Sequence, residues 1–89
     1  MNQAGRILVF DRDFLEDLGH WVASDRKVAL KVLELVEAVR RDPFAGLGKP
    51  EPLRHLGCGV WSRRITQEHR LVYVVKPDRI LFAQARYHY

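Results

Sequence analysis

Along the chain the spacing of apolar residues changes character three times. Ile7 to Phe10 is a continuous apolar run of strand length, the pattern of a strand at least partly covered on both faces. Asp11 or Asp13 follows and can accept from the free amides of a first helical turn. Phe14, Leu18, Trp21 and Val22 then recur at helical spacing, with Glu16, Asp17 and His20 off the stripe. This predicts an amphipathic helix carrying Gly19 at some local cost. A second helix opens at Ser24 or Asp25, repeats Val28, Val32, Leu35, Val36 and Val39 on one face, and runs to Arg41. Arg40 and Arg41 suit the negative end of its dipole, and Asp42-Pro43 ends it, since proline restrains the residue before it and supplies no amide. A link of about two or three residues implies an antiparallel helical hairpin. Leu30 and Leu33 fall off the main stripe, where a second copy or a partner helix can meet them.

From Phe44 to Pro52 the periodicity gives way to two glycines and two prolines. Glycine permits close approach or positive φ, and the flanking prolines hold Glu51 extended. Beyond them Leu53 to Leu56 reads as a short strand and Gly57-Cys58-Gly59 as a turn. Val60 to Ile65 alternates with period two, and Thr66-Gln67-Glu68 returns the chain into His69 to Val75, a hairpin. After the turn at residues 76–79, Ile80 to Tyr89 is the last strand. The expected fold is α+β: an N-terminal strand, then a two-helix antiparallel hairpin packed on a mainly antiparallel sheet of four to five strands, as one domain over residues 1–89. Alternation puts Ile80, Phe82, Gln84, Arg86 and His88 on one face of the last strand and Leu81, Ala83, Ala85, Tyr87 and Tyr89 on the other. Arg70 falls with Val72 and Val74, and an arginine on an otherwise apolar face belongs at the strand's end, where a pocket can begin.

Charge narrows the partners. Fifteen Lys and Arg against eleven Asp and Glu leave a net +4, which favours a polyanion such as nucleic acid or an acidic protein. Lys49, Arg54, Arg63, Arg64 and Arg70 cluster in residues 46–70 against Glu51 and Glu68 alone, a surplus suited to phosphate and equally to a solvated basic face. A composition 47% hydrophobic and 29% charged lies outside the range of chains that stay disordered. Cys58, the one cysteine, excludes an internal disulfide and a cysteine-held zinc site, and it suits a reducing cytoplasm. No HxxxH or Cys/His spacing points to a metal, and no Walker loop, GxGxxG, GxSxG or HExxH occurs. The apolar runs are too short to span a bilayer, and Met1 to Arg6 does not read as a signal peptide. Trp21 and Trp61 read as core or interface residues. Tyr87 and Tyr89 can stack on a base if exposed. By position alone, His88 is as well explained as an ordinary strand end.

Four segments carry a resemblance. Lys49-Pro50-Glu51-Pro52-Leu53, Trp61-Ser62-Arg63-Arg64-Ile65-Thr66, Glu68-His69-Arg70-Leu71-Val72-Tyr73 and Arg86-Tyr87-His88-Tyr89 resemble, in order and spacing, the YoeB/Txe toxins of bacterial toxin–antitoxin pairs. The likeness covers nearly the whole chain and is strongest from Arg41 onward. It implies a RelE-like fold and a ribosome-dependent endoribonuclease that cuts messenger RNA in the decoding site, with no metal or other cofactor. It further implies neutralisation by a YefM-type antitoxin whose flexible C-terminal segment folds over the toxin, contact with operator DNA only through that antitoxin, and a toxin able to form dimers. Matched residue by residue, the family's catalytic glutamate falls on Glu51, its catalytic arginine on Arg70, its terminal His-Tyr pair on His88 and Tyr89, and a second arginine on Arg64. Arg54 stands where family members often carry lysine, which keeps the charge but exchanges an ammonium for a fork. The turn Leu56 to Gly59 and the extension Met1 to Gly5 also depart from the family pattern.

On that resemblance, a ribose 2′-hydroxyl attacks the adjacent phosphorus, leaving a 2′,3′-cyclic phosphate and a 5′-hydroxyl. The expected roles are Glu51 as base, His88 as acid and Arg70 as clamp on the charged transition state. Lys49, Arg54 and Arg64 bind substrate in support, and Tyr89 orients substrate or His88. Two other classes fit the residues: a non-catalytic basic RNA-binding module, and an interaction protein acting only in an antitoxin–DNA autoregulatory complex.

Overall fold

Aspartate capping sets both helix starts in the computed structural model, which describes residues 5–87. After β1, Ile7–Phe10, the Asp11 side chain accepts from the Asp13 amide at 2.9 Å and opens α1, Arg12–Ser24. Asp25 alone separates the helices, a shorter link than the spacing implied. Its N–H closes α1 on the Trp21 carbonyl at 2.7 Å, and its carboxylate accepts from Val28 N–H at 3.4 Å to open α2, Arg26–Arg41. One residue thus serves two helix ends, by its backbone amide at the first and its side chain at the second.

The helices cover one face of a five-stranded sheet of order β1-β5-β4-β3-β2. Here β2 is Glu51–Pro52, β3 Val60–Arg64, β4 Arg70–Val75 and β5 Arg79–Tyr87. β1 runs parallel to β5 and every other pair is antiparallel, the α+β layout expected. Phe14, Trp21, Val32, Leu35 and Val39 from the helices pack on Leu71, Tyr73, Ile80, Phe82 and Ala85 from the sheet. Val22, placed on the apolar stripe, is 61% exposed, so the buried arc of α1 is narrower than its sequence pattern. Leu30 and Leu33 are exposed, as their position off the stripe implied.

Gly19 faces open space, with nothing within 4 Å of a Cβ built there. Gly19→Ala should therefore stabilise by about 0.5–1 kcal/mol, the ordinary gain in a helix interior, and raise the thermal midpoint by about 2–8 °C. A lowered midpoint would show that the glycine has a packing role.

Two sequence readings change. Leu53 to Leu56 is not a strand: Arg54–Leu56 forms a 3-10 turn, and the pairing segment is Glu51–Pro52, opposite Ser62 and Trp61. Proline is admissible there because β2 is an edge of the sheet. Simple alternation also fails in β5. Val72 stands opposite Gln84, but Tyr73 stands opposite Phe82 and Arg70 opposite Tyr87. These register shifts bury Ala85 with Ile80 and Phe82, whereas Arg86 is exposed. A bulge adds a residue to one strand and so exchanges the faces beyond it.

Candidate active site

Alternation along β3 decides which cations share a face. Trp61, Arg63 and Ile65 turn to the helices, and Ser62 and Arg64 turn away. On the side away from the helices the pairing lines up Glu51, Ser62, Val72 and Gln84 in one row, and Arg64, Arg70 and Tyr87 in the next. Leu53 and Val72, each 3% exposed and neither in the helix-side cluster, give this face an apolar floor.

Arg70 Nη1 donates to Glu51 Oε1 at 3.1 Å and to Ser62 Oγ at 3.2 Å. The arginine side chain is 13% exposed and the glutamate 47%, so the cation is sunk into the face and the carboxylate opens to solvent. Arg64 is exposed and directly opposite Arg70 across the β3–β4 ladder. Like charges in that relation repel, and the pair is relieved when an anion lies between them. Arg70 thus sits at the end of β4, where its place on an apolar face suggested.

The loop before β2 brings further groups to this edge. Gly48 has φ of 88°, and a Cβ there would come within 2.8 Å of Leu35 Cδ2 and 3.1 Å of Arg63 Cβ. Only glycine allows that approach. Its carbonyl accepts from Arg64 N–H at 2.7 Å, locking the loop to β3. Lys49 next to it is exposed and left-handed, with φ of 53°, a conformation disfavoured for a residue with a side chain. Arg54 is exposed at the start of the 3-10 turn, and Tyr87 Oη lies 3.4 Å from His55 Nε2. His88 and Tyr89 lie outside the described residues.

Arg63 does not belong to this surface. It is 0% exposed on the helix side. Its guanidinium donates to the carbonyls of Asp42 at 2.5 Å, Ala45 at 3.0 Å and Leu47 at 2.9 Å, and to Tyr73 Oη at 3.1 Å. The Tyr73 hydroxyl in turn donates to the Pro43 carbonyl at 2.7 Å. Burial pushes the Tyr73 phenol above its ordinary value, against the opposing pull of Arg63. The expected five-cation surface loses this member to a strut that ties the 42–47 loop to the sheet. Trp21 is buried, and Trp61 packs at the edge of the core with its ring 5.2 Å from that of Phe44. Ser62, 0% exposed and a direct partner of Arg70, is not among the residues the sequence singles out, although the same period-two count that separates Arg63 from Arg64 places it on the site face. His55 and Tyr87 meet through a loop-to-strand contact that no local spacing signals.

Among the described residues no group of three His, Cys, Asp or Glu side chains could hold a metal ion, and no helix is long and apolar enough to cross a membrane.

Two helices on one face of a five-stranded, mostly antiparallel sheet are the layout of the RelE-like class of small bacterial toxin. The family model described as the YoeB-like toxin of bacterial type II toxin–antitoxin systems matches residues 10–89. The chain is 49% identical over 82 residues to Toxin YoeB of Escherichia coli (strain K12), spanning 92% of this chain and 98% of that one. It superposes on the YoeB dimer structure from Staphylococcus aureus with a TM-score of 0.86 at 38% identity, covering 97% of this chain and 100% of that one. The heterotetrameric YoeB-YefM toxin–antitoxin complex from the same species gives 0.80 at 38% identity, covering 94% and 98%. The chain belongs to the YoeB-like toxin family.

Proposed function

We propose that this toxin is a ribosome-dependent endoribonuclease that cuts messenger RNA in the decoding site. The observation that carries the reading is the Arg70–Glu51 contact of 3.1 Å on the open sheet face, with Arg64 opposite Arg70. It puts a carboxylate able to take a proton beside a cation able to hold a phosphate. The entering phosphodiester competes with Glu51 for Arg70, so substrate binding frees the base as it engages the clamp. Glu51 then removes the proton of the ribose 2′-hydroxyl, O2′ bonds to phosphorus, and the bond from phosphorus to O5′ breaks. His88 supplies the proton to O5′, leaving a 2′,3′-cyclic phosphate and a 5′-hydroxyl. Arg70 holds the charged phosphorane. Lys49, Arg54 and Arg64 line the strand's path, and Tyr89 orients substrate or His88. The YoeB-YefM and YoeB dimer structures of the relatives support a YefM-type antitoxin and a second copy as this toxin's partners, with operator DNA reached through the antitoxin.

The test is messenger cleavage on purified ribosomes, with ends mapped. Glu51→Gln and His88→Ala should each lose about 10²-fold or more, and a DNA strand, lacking the 2′-hydroxyl, should stay uncut. Full cleavage by His88→Ala would remove the acid assignment. Growth arrest at wild-type strength by both variants would replace the enzyme with a basic RNA-binding module.

A further inference from the structure

β5 extends past its outer neighbour. β1 has four residues and pairs only as far as Phe82, whose carbonyl receives the Asp11 amide at 3.0 Å. From there to Tyr87 the outer edge of β5 faces α1 instead of a strand. On the inner side the ladder to β4 is bulged: Gln84 pairs with Val72 and Tyr87 with Arg70, so Ala85 and Arg86 together stand against Leu71.

α1 grips the residue in this bulge at both ends. Asp17 Oδ2 accepts from the Ala85 amide at 2.9 Å, and Trp21 Nε1 donates to the Ala85 carbonyl at 2.8 Å. Asp17 and Trp21 lie four apart on one helix face, a spacing that matches the two polar groups of a single extended residue. Trp21 is itself fixed: it is buried, and the His69 ring meets it edge-on at 4.9 Å.

The consequence is positional. Counting on from Gln84 without the extra residue would bring Arg86 opposite Arg70 and lengthen the Arg64–Arg70 row with a third guanidinium. It would also turn Tyr87 to the helix side. We infer that Asp17 and Trp21 are positioning residues: by holding the Ala85 backbone they fix the β5 register that sets Tyr87 beside Arg70 on the active-site face. This inference rests on the endoribonuclease reading for its effect on rate, but not for its effect on register.

The experiment pairs nuclear magnetic resonance of the intact toxin with cleavage kinetics on ribosomes, for Asp17→Ala, Asp17→Asn and Trp21→Phe. Asp17→Ala should lose or weaken the cross-strand Overhauser contact between the Arg70 and Tyr87 main chains, and exchange the Ala85 amide about tenfold faster or more. It should lower kcat by about ten- to a hundredfold with KM little changed, because a displacement of about 1 Å costs rate on that scale. Asp17→Asn keeps an oxygen acceptor and should restore both readouts. Trp21→Phe keeps an aromatic ring without the donor and should reproduce the alanine effect, which provides a second route if Asp17→Ala does not fold. An Arg70–Tyr87 contact of wild-type strength in Asp17→Ala, or an Asp17→Asn as impaired as the alanine variant, overturns the inference. If the wild type itself does not cleave messenger, the function reading fails, and the Overhauser and exchange data decide the register claim alone.

Discussion

Arg70→Ala should lower messenger cleavage on ribosomes by about 10²- to 10³-fold, the usual effect of removing a preorganised charge from a developing anion, while moving the melting midpoint by less than about 8 °C. The two numbers part because the ion pair contributes unequally to rate and to fold. Its carboxylate is 47% exposed, so solvent screens the pair and its net stabilisation is about 1 kcal/mol at most, which in a domain of this size corresponds to about 4–8 °C. Substrate changes the accounting. A phosphodiester lying on the Leu53–Val72 floor excludes water from the guanidinium, and an interaction weak in the free toxin becomes strong in the transition state. Arg70→Lys keeps the charge and loses the planar fork that reaches Glu51, Ser62 and a phosphate oxygen, so it should fall between the two, about tenfold down. Cleavage by Arg70→Ala within threefold of wild type would remove Arg70 from the reaction. A collapse of the melting transition would make it a structural residue.

The helix pair was open to reading because each helix buries one stripe and both ends are marked by the residue types that cap them: Asp11, Asp25 and Asp42-Pro43. Period two likewise located β3 and β4. The failures lie where backbone pairing, not side-chain pattern, decides. Glu51–Pro52 pairs over two residues at a sheet edge, too short for any alternation to register. The register shifts of β5 leave no trace in composition, since Ala83, Gln84 and Ala85 are all admissible on either face, and a strict count through them assigned Ala85 to the wrong side.

The site divides in the same way. Arg70 was conspicuous because it interrupts an apolar strand face, and the structure brings it to Glu51 across 19 positions of sequence. Arg64 stands opposite Arg70 across the ladder, and Lys49 and Arg54, on either side of β2, are exposed like it. By charge alone Arg63 belongs with them, because charge carries no direction. Its neighbours Trp61 and Ile65, both apolar and both two residues away, were the signal that it turns inward. The loop carbonyls that receive it come from residues 42–47, and their convergence on one guanidinium is a product of the tertiary fold.

Arg63→Ala should cost about 3 kcal/mol or more, against a total of roughly 4–13 kcal/mol for a chain of this length, and lower the melting midpoint by about 12 °C or more. Four hydrogen bonds from one buried cation are lost at once, and the carbonyls of Asp42, Ala45 and Leu47 lose the donor on which they converge. The cation is stabilised where it lies because Asp42 caps the C-terminal end of α2, where the helix dipole is negative. Arg63→Met separates volume from hydrogen bonding: it refills much of the space and still leaves the carbonyls without a donor, so it should melt close to the alanine variant. Arg64→Ala, one residue on and exposed, should change stability by no more than about 0.5 kcal/mol. Equal melting of Arg63→Met and wild type would show that the strut contributes only bulk. The effect extends to the site, because the loop that Arg63 ties down leads directly through Gly48 to Lys49 and Glu51. In the fraction of Arg63→Met that remains folded, cleavage should therefore fall together with the protection of the 42–48 amides from exchange, whereas Arg64→Ala should weaken substrate binding with that protection intact.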